Sequence, residues 1–384
     1  MTLVGKKVSK KGINVIHFVE SSSRHPWLEK LIQSLDRHGF SQQILTIEPP
    51  GKIQEFFAAT HKNIGIERRI RGRMTVFKGL KEIRKNRKDD SYNIVLAYGH
   101  PAAFISALAT CFFKITFVLS HMQQPRYFEF MPSRLRGNLH EGIYKFYVKR
   151  AEVVFSLSKE VYEKLILTKI GKNRIVSLNI GLDFTKLKNQ IAMSKTDGSS
   201  SEKNPKILMV GRLSPEKNYM LAINTFKKFL QIFPNATLSI AGDGPQKNDI
   251  KGLIQSLDLH EKVQLLGQVT NVPELMLQSD LLLHLANTES YGQIYIESLI
   301  CQLPVISSRT GIAIDLQELA DPNIRIVFPL ESELICLAME EHFRKPHPSV
   351  KRRMELFSLY HTHEDSFVYE TIAEALIGLK EKIE

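Results

Sequence analysis

A chain of 384 residues, 43% of them hydrophobic, is long enough to bury two domain cores and lacks the bias of a fibrous or disordered protein. Its net charge of +12 is lopsided: residues 1–190 carry 33 Lys and Arg against 15 Asp and Glu, and residues 191–384 carry 19 against 25. A basic first half points to an anionic partner (a membrane surface, a nucleic acid or a phosphate-bearing substrate) or to a plain solvated surface.

The chain opens with basic residues from Lys6 to Lys11, and the apolar run that follows ends at Glu20. That run is too short for a secretory leader. "INVIHFVE" (13–20) reads as a strand, "WLEKLIQSLDRHG" (27–39) as a helix with a glycine stop, and "SQQILTIE" as the next strand. "ERRIRGR" and "KEIRKNRK" (67–88) space cations as a helix would, for a membrane or polyanion contact or a solvated face. Then come strand 92–99, a buried helix over 101–113 too short to span a bilayer, and strands 114–120, 151–158 and 174–181. "RYFEFMPSRLRG" (126–137) mixes aromatics with arginines, as an acceptor lid or a membrane-interface segment would. The stretch 188–205 is polar and rich in Ser, a linker.

Past the linker the alternation restarts. "KILMVG", "ATLSIAG", "VQLLG", "LLLHLA" and "LPVISS" are strands, separated by helices at 217–233, 245–257, 271–278 and 293–301. Strands alternating with helices predict parallel sheets with right-handed crossovers, so two doubly wound α/β domains in series. Cys111, Cys301 and Cys336 all sit in apolar surroundings, make no disulfide framework and fit a reducing compartment. "HTHED" (361–365) reads as a surface segment, with metal binding the minor alternative.

Ligands of open α/β sheets bind beyond the carboxyl ends of the strands. Four strand ends of the second half deliver suitable groups there. Gly211 is followed by Arg212 and Lys217, two cations suited to a diphosphate. "AGDGP" (241–245) is a tight turn entering a helix. Glu289 precedes Ser290, Tyr291 and Gly292, whose backbone N–H groups open a helix and can cradle phosphate. Glu297 lies in that apolar helix and needs a partner, because burying an unpaired charge costs several kcal/mol, on the order of 3–5. Taken singly, Arg212 and Lys217 read as surface charges and Glu297 as half of a core salt bridge.

Together these residues resemble the family-4 retaining glycosyltransferases of the GT-B fold. The resemblance is close over 206–311: G-R-x-x-x-x-K, the A-G-D-G-P turn, the L-L-G strand end, and E-x7-E followed by "CQLPVI". "IGLDFTKL" (180–187) and "LSHMQQP" (119–125) carry it weakly into the first half. The resemblance implies two Rossmann-like domains facing a cleft: an acceptor-binding domain at 1–190, a linker at 191–205, a nucleotide-sugar domain at 206–365, and a helix at 366–384 that crosses back to the first domain. It implies that Arg212 and Lys217 bind the donor diphosphate, with Gly211 at the turn before them. Ser290, Tyr291 and Gly292 would cradle it, Glu289 would face the transferred sugar and Glu297 would hold the ribose. His121 would stand near the anomeric carbon, a packed core histidine being the alternative. The family's glycine-rich first loop is replaced here by Ser21, Ser22 and Ser23, and its glycine after the lysine by Asn218. The implied donor is a nucleoside-diphosphate sugar, UDP before GDP, with no cofactor, no metal and no D-x-D motif. The acceptor would be a glycan or lipid-linked molecule of the cell envelope, such as lipopolysaccharide. The enzyme would be cytoplasmic, peripheral to the inner membrane face. A sugar-nucleotide 2-epimerase of the same fold and a non-enzymatic polyanion-binding protein are the other readings; nucleic acid is not expected as a partner.

Overall fold

The computed structural model describes residues 12–20, 26–47, 64–66, 75–121, 133–193, 204–318, 323–344 and 363–383. The chain forms two compact units. One comprises Met1–Leu157, Val161–Gly181 and Asp365–Glu384; the other comprises Ser158–Glu160 and Leu182–Glu364.

The first unit holds a parallel sheet of seven strands: β1 (Gly12–Val19), β2 (Ser41–Thr46), β3 (Ile64–Ile66), β4 (Ser91–Tyr98), β5 (Thr116–His121), β6 (Val153–Ser156) and β7 (Ile175–Ser177), in the order β3-β2-β1-β4-β5-β6-β7. Helices α1 (Pro26–Arg37), α2 (Thr75–Asn86), α3 (His100–Ala109), α4 (Arg134–Arg150) and α5 (Lys159–Leu167) alternate with the strands. β1 and β4 are almost wholly buried, as strands covered on both faces must be. The polar residues that this burial traps are paired. His17 bonds Gln42 Oε1 through Nε2 at 2.9 Å and Tyr98 Oη through Nδ1 at 3.2 Å. Burial lowers its pKa to about 4, so the ring is neutral.

The second unit holds six parallel strands: β8 (Lys206–Val210), β9 (Thr237–Ala241), β10 (Val263–Gly267), β11 (Leu281–His284), β12 (Val305–Ser307) and β13 (Ile324–Ile326), in the order β10-β9-β8-β11-β12-β13. Its helices are α6 (Phe184–Met193), α7 (Tyr219–Phe229), α8 (Lys247–Ser256), α9 (Val272–Leu277), α10 (Gln293–Ile300), α11 (Ala313–Glu318) and α12 (Ser332–Arg344). α12 packs on α7, and Phe229 stacks on Phe233 at 4.8 Å between ring centres. In both sheets the strand order reverses once, between β1 and β4 and between β8 and β11. At such a point the crossovers leave in opposite directions, opening a crevice at the carboxyl ends of the two strands.

Two elements depart from the sequence reading. The chain enters the second unit after Gly181, ahead of the polar stretch 191–205, because α6 packs on α9. Residues 191–193 end α6, and 194–203 lie outside the described residues. His363, read as part of a surface segment, is buried, with its ring 6.2 Å from that of Tyr291 and its carbonyl accepting from Leu182 N. No helix among the described residues is long and apolar enough to cross a membrane.

The last helix, α13 (Asp365–Ile383), belongs to the first unit and packs on α1. Glu370 accepts hydrogen bonds from His38 Nε2 at 2.6 Å, Arg37 Nη2 at 3.2 Å and Ser34 Oγ at 3.3 Å. The apolar side buries Ala373, Leu376 and Leu379. Leu376→Ala should therefore lower the stability of this unit by about 2–5 kcal/mol. The chain's single tryptophan, Trp27 on α1, reports it: denaturant unfolding followed by tryptophan fluorescence should shift to a lower midpoint.

Candidate functional site

β8 and β11 diverge at the switch point of the second sheet, and the segments leaving them carry the polar groups. After β8 come Gly211 and Arg212, then a 3-10 turn (Pro215–Lys217). This turn ends on Asn218, whose backbone is left-handed at φ 56°. Asparagine tolerates that region better than most residues, which explains how it stands where the resembled family has glycine. Its side-chain amide donates to Leu285 O and Asn287 Oδ1, both at 2.8 Å, so the loop after β8 is tied to the loop after β11.

That tie brings Lys217 to Glu289. The Lys217 ammonium donates to Glu289 Oε2, and His284, the last residue of β11, stands 3.3 Å from the same oxygen through Nε2. Burial would raise the Glu289 carboxyl, but the hydrogen bond from His284 and the charge of Lys217 outweigh it and bring the pKa down to about 2. Burial depresses the His284 imidazole, so it is neutral near pH 7 and offers Nε2–H to the carboxylate. Glu289 Oε1 has no hydrogen-bond partner among the described residues. Gly292, at φ 87°, precedes α10; a Cβ there would lie 2.4 Å from the Tyr295 ring and 3.2 Å from Glu289 Cγ. Only glycine lets the helix begin this close to the carboxylate.

Glu297 is half-buried on α10 among Ile296, Ser298 and Ile300. The core salt bridge, the alternative to a ligand role, is not found: among the described residues no side chain hydrogen-bonds or ion-pairs with its carboxylate. Desolvation pushes its pKa up to about 7, against a weaker opposing pull from the Lys186 charge.

The remaining sequence candidates divide. Arg212 is exposed and has no ion-pair partner among the described residues. The "AGDGP" turn has a packing role. Gly242, at φ 148°, lies so close to Gly211 that a Cβ would fall 1.9 Å from its carbonyl oxygen, and Leu213 N donates to Asp243 O at 2.9 Å. The glycine thus lets the loops after β8 and β9 touch. Ser290 and Tyr291 precede Gly292 as expected, Tyr291 being fully buried. His121 closes β5 in the first unit, but its side chain lies outside the described residues, as do Ser21, Ser22 and Ser23. Sequence reasoning missed His284. A lone histidine does end an otherwise apolar strand, five residues before Glu289, but only the tertiary structure shows that the two meet.

Residues 193–328 match the family described as glycosyl transferases group 1. Among curated proteins, the phosphatidylinositol N-acetylglucosaminyltransferase GPI3 subunit of Saccharomyces cerevisiae is 34% identical over 107 residues, 27% of this chain and 24% of that protein. The N-acetyl-alpha-D-glucosaminyl L-malate synthase of Bacillus anthracis is 27% identical over 171 residues, 44% of this chain and 45% of that one. The chain thus spans from about a quarter to under half of the length of these relatives. Among solved structures, HepE of Anabaena in complex with UDP superposes with a TM-score of 0.73 at 16% identity, over 95% of this chain and 100% of that one. The fold is therefore that of the GT-B glycosyltransferases, with a Rossmann-like parallel sheet in each unit.

An acid whose folded pKa lies above its unfolded value binds its proton more tightly when folded, so it loses stability as pH rises between the two. For Glu297 that window runs from 4.5 to about 7. The unfolding free energy of the wild type, measured by urea titration, should fall relative to Glu297→Gln across that window and run parallel to it outside. Parallel curves throughout would mean that folding leaves this carboxyl unshifted, and a wild type that gains stability relative to Glu297→Gln as pH rises would mean that a partner holds it ionised.

Proposed function

We propose that the protein is a retaining glycosyltransferase that moves a sugar from a nucleoside-diphosphate donor to a glycan or lipid-linked acceptor of the cell envelope, on the ground that residues 193–328 match the family described as glycosyl transferases group 1. One observation carries this reading: a solvent-reachable lysine–carboxylate pair at the switch point lies at the start of a buried helix whose second turn holds a carboxylate with no hydrogen-bond or ion-pair partner among the described residues. From Gly292 to Glu297 the helix rises by five residues, roughly 7.5 Å, which sets the second carboxylate along the helix from the N–H groups at its start. Lys217 and the exposed Arg212 take the diphosphate and stabilise the leaving group as its charge grows, in place of a divalent cation. Ser290, Tyr291 and Gly292 present N–H groups to the phosphates. Glu289 Oε1 accepts from hydroxyls of the transferred sugar, and Glu297 accepts from the ribose, a partner that the described residues do not supply. UDP is the favoured nucleotide, the one bound in the HepE structure.

The first unit supplies the surface for the acceptor and for a membrane. α3 lies between α2 and α4 and packs on both. Phe77 on α2 and Leu135 and Leu139 on α4 are exposed, and exposed cations accompany them: Lys78, Lys81, Arg84 and Lys85 on α2, Arg136 on α4. Apolar side chains flanked by cations suit an anionic bilayer, and we assign the protein to the inner face of the cytoplasmic membrane on this ground. The GPI3 relative, whose name specifies a phosphatidylinositol substrate, supports a lipid-linked acceptor.

Thermal stabilisation by UDP, GDP, ADP and their sugar conjugates tests the donor site. One nucleotide, at ~100 times its dissociation constant, should add about 2.7 kcal/mol to the wild type. Arg212→Ala should lose this shift, and Glu297→Ala should weaken binding by roughly 1–3 kcal/mol. Glu289→Ala should lower turnover more than nucleotide affinity. No shift from any nucleotide would remove the basis for a donor site. For the membrane surface, the protein should sediment with vesicles containing phosphatidylglycerol and not with pure phosphatidylcholine. Binding should weaken in high salt and on replacing Phe77, Leu135 and Leu139 by serine; sedimentation unchanged by those replacements would rule this surface out.

A further inference from the structure

We propose that His284 is a positioning residue of the transfer reaction: it keeps the Glu289 carboxylate aligned with the sugar once Lys217 turns to the donor phosphates. This inference rests on the donor-site reading above. Lys217 and His284 share one oxygen, Glu289 Oε2, and Oε1 has no hydrogen-bond partner among the described residues. They hold it in different ways. Lys217 is a long side chain at the end of a 3-10 turn, and the same ammonium is the group assigned to the diphosphate. A compact ammonium has three donors but one position, and a diphosphate is the stronger attraction. As Lys217 swings toward it, the carboxylate keeps a single protein donor.

His284 cannot follow such a movement. It is the last residue of a strand paired on both sides, with Leu282 and Leu283 beside it in register with β12, and it is 5% exposed. Its ring meets Tyr295 edge-on, 5.0 Å between centres at 80°, and Tyr295 is fixed in turn by a 2.7 Å hydrogen bond to Ser307 Oγ on β12. Its backbone carbonyl accepts from Ser308 N at 3.1 Å. The imidazole is thus braced by two strands and the first turns of α10. A neutral Nε2–H on a rigid strand end is a directional donor that survives the loss of the lysine. It also opposes a tilt of the carboxylate plane that would turn its free oxygen away from the sugar.

The test is steady-state donor turnover in the full chain, hydrolysis or transfer, with UDP affinity measured separately by calorimetry. His284→Leu keeps the bulk and removes the donor; His284→Gln restores an N–H close to the position of Nε2. His284→Leu should lower kcat by about ten- to a hundredfold, as expected when a reacting partner is misplaced by an ångström or so. KM for the donor and UDP affinity should stay within about twofold, and His284→Gln should recover most of kcat. A merely structural histidine would instead lower thermal stability and UDP affinity together, without rescue by glutamine, and that outcome overturns the inference. Full activity of His284→Leu would overturn it too, while leaving the donor-site reading intact. A wild type that binds UDP-sugars but never turns them over, or binds none, would overturn the reading itself and the positioning role with it.

Discussion

The second unit is organised around one carboxylate oxygen. Glu289 Oε2 receives Lys217 from the loop after β8 and His284 from the end of β11, so it joins the two strands that part at the switch point. A doubly wound sheet opens a crevice there whatever its sequence. What this chain adds is a set of polar groups whose protonation states are fixed by one another. The imidazole is neutral because it is buried, and the carboxylate is ionised because two donors hold it against burial. Removing either donor leaves a largely buried charge with one partner, a costly arrangement in a low dielectric.

Glu297 is the counterpoint. Its carboxylate sits eight residues further along the chain, on α10, with no protein hydrogen bond among the described residues, and desolvation works against its charge. A structural role would demand a partner, because a buried acid without one lowers stability above its unfolded pKa. The contrast between a satisfied carboxylate at the mouth of α10 and one in its second turn without a partner among the described residues is the ground for the donor-binding role proposed for this helix.

Much of this was legible in the sequence, for identifiable reasons. Buried parallel strands announce themselves as apolar runs, so "KILMVG", "ATLSIAG" and "LLLHLA" fell on the strands, overrunning their ends by one or two residues. The helix at 293–300 was readable from its all-round apolarity, and Glu297 stood out against it. Three things were not legible. The strands Ile64–Ile66 and Ile324–Ile326 have three residues each, too few to show a period. The junction after Gly181 depends on α6 packing against α9, a contact between segments some ninety residues apart that no composition change marks. His284 was passed over because a single histidine at a strand end carries no spacing pattern; its meaning comes from the distance to Glu289, which only the tertiary structure supplies.

The departures from the resembled family show which level of description is held fixed. Where a glycine is usual after the lysine, this chain has Asn218, yet the backbone keeps the left-handed conformation that glycine would provide. The asparagine then uses its amide to bind Leu285 O and Asn287 Oδ1, a tie that glycine lacks. The αL strain of a non-glycine residue, about 1 kcal/mol, is offset by two hydrogen bonds that net about 0.5–1.5 kcal/mol each. Glycine would leave the lysine loop freer, and asparagine fastens it to the segment that carries Glu289. The position of Lys217 relative to Glu289 is therefore set by the residue that follows the lysine as much as by the lysine itself. A motif written as residue types misses this; written as backbone conformations and the atoms they bring together, it is intact.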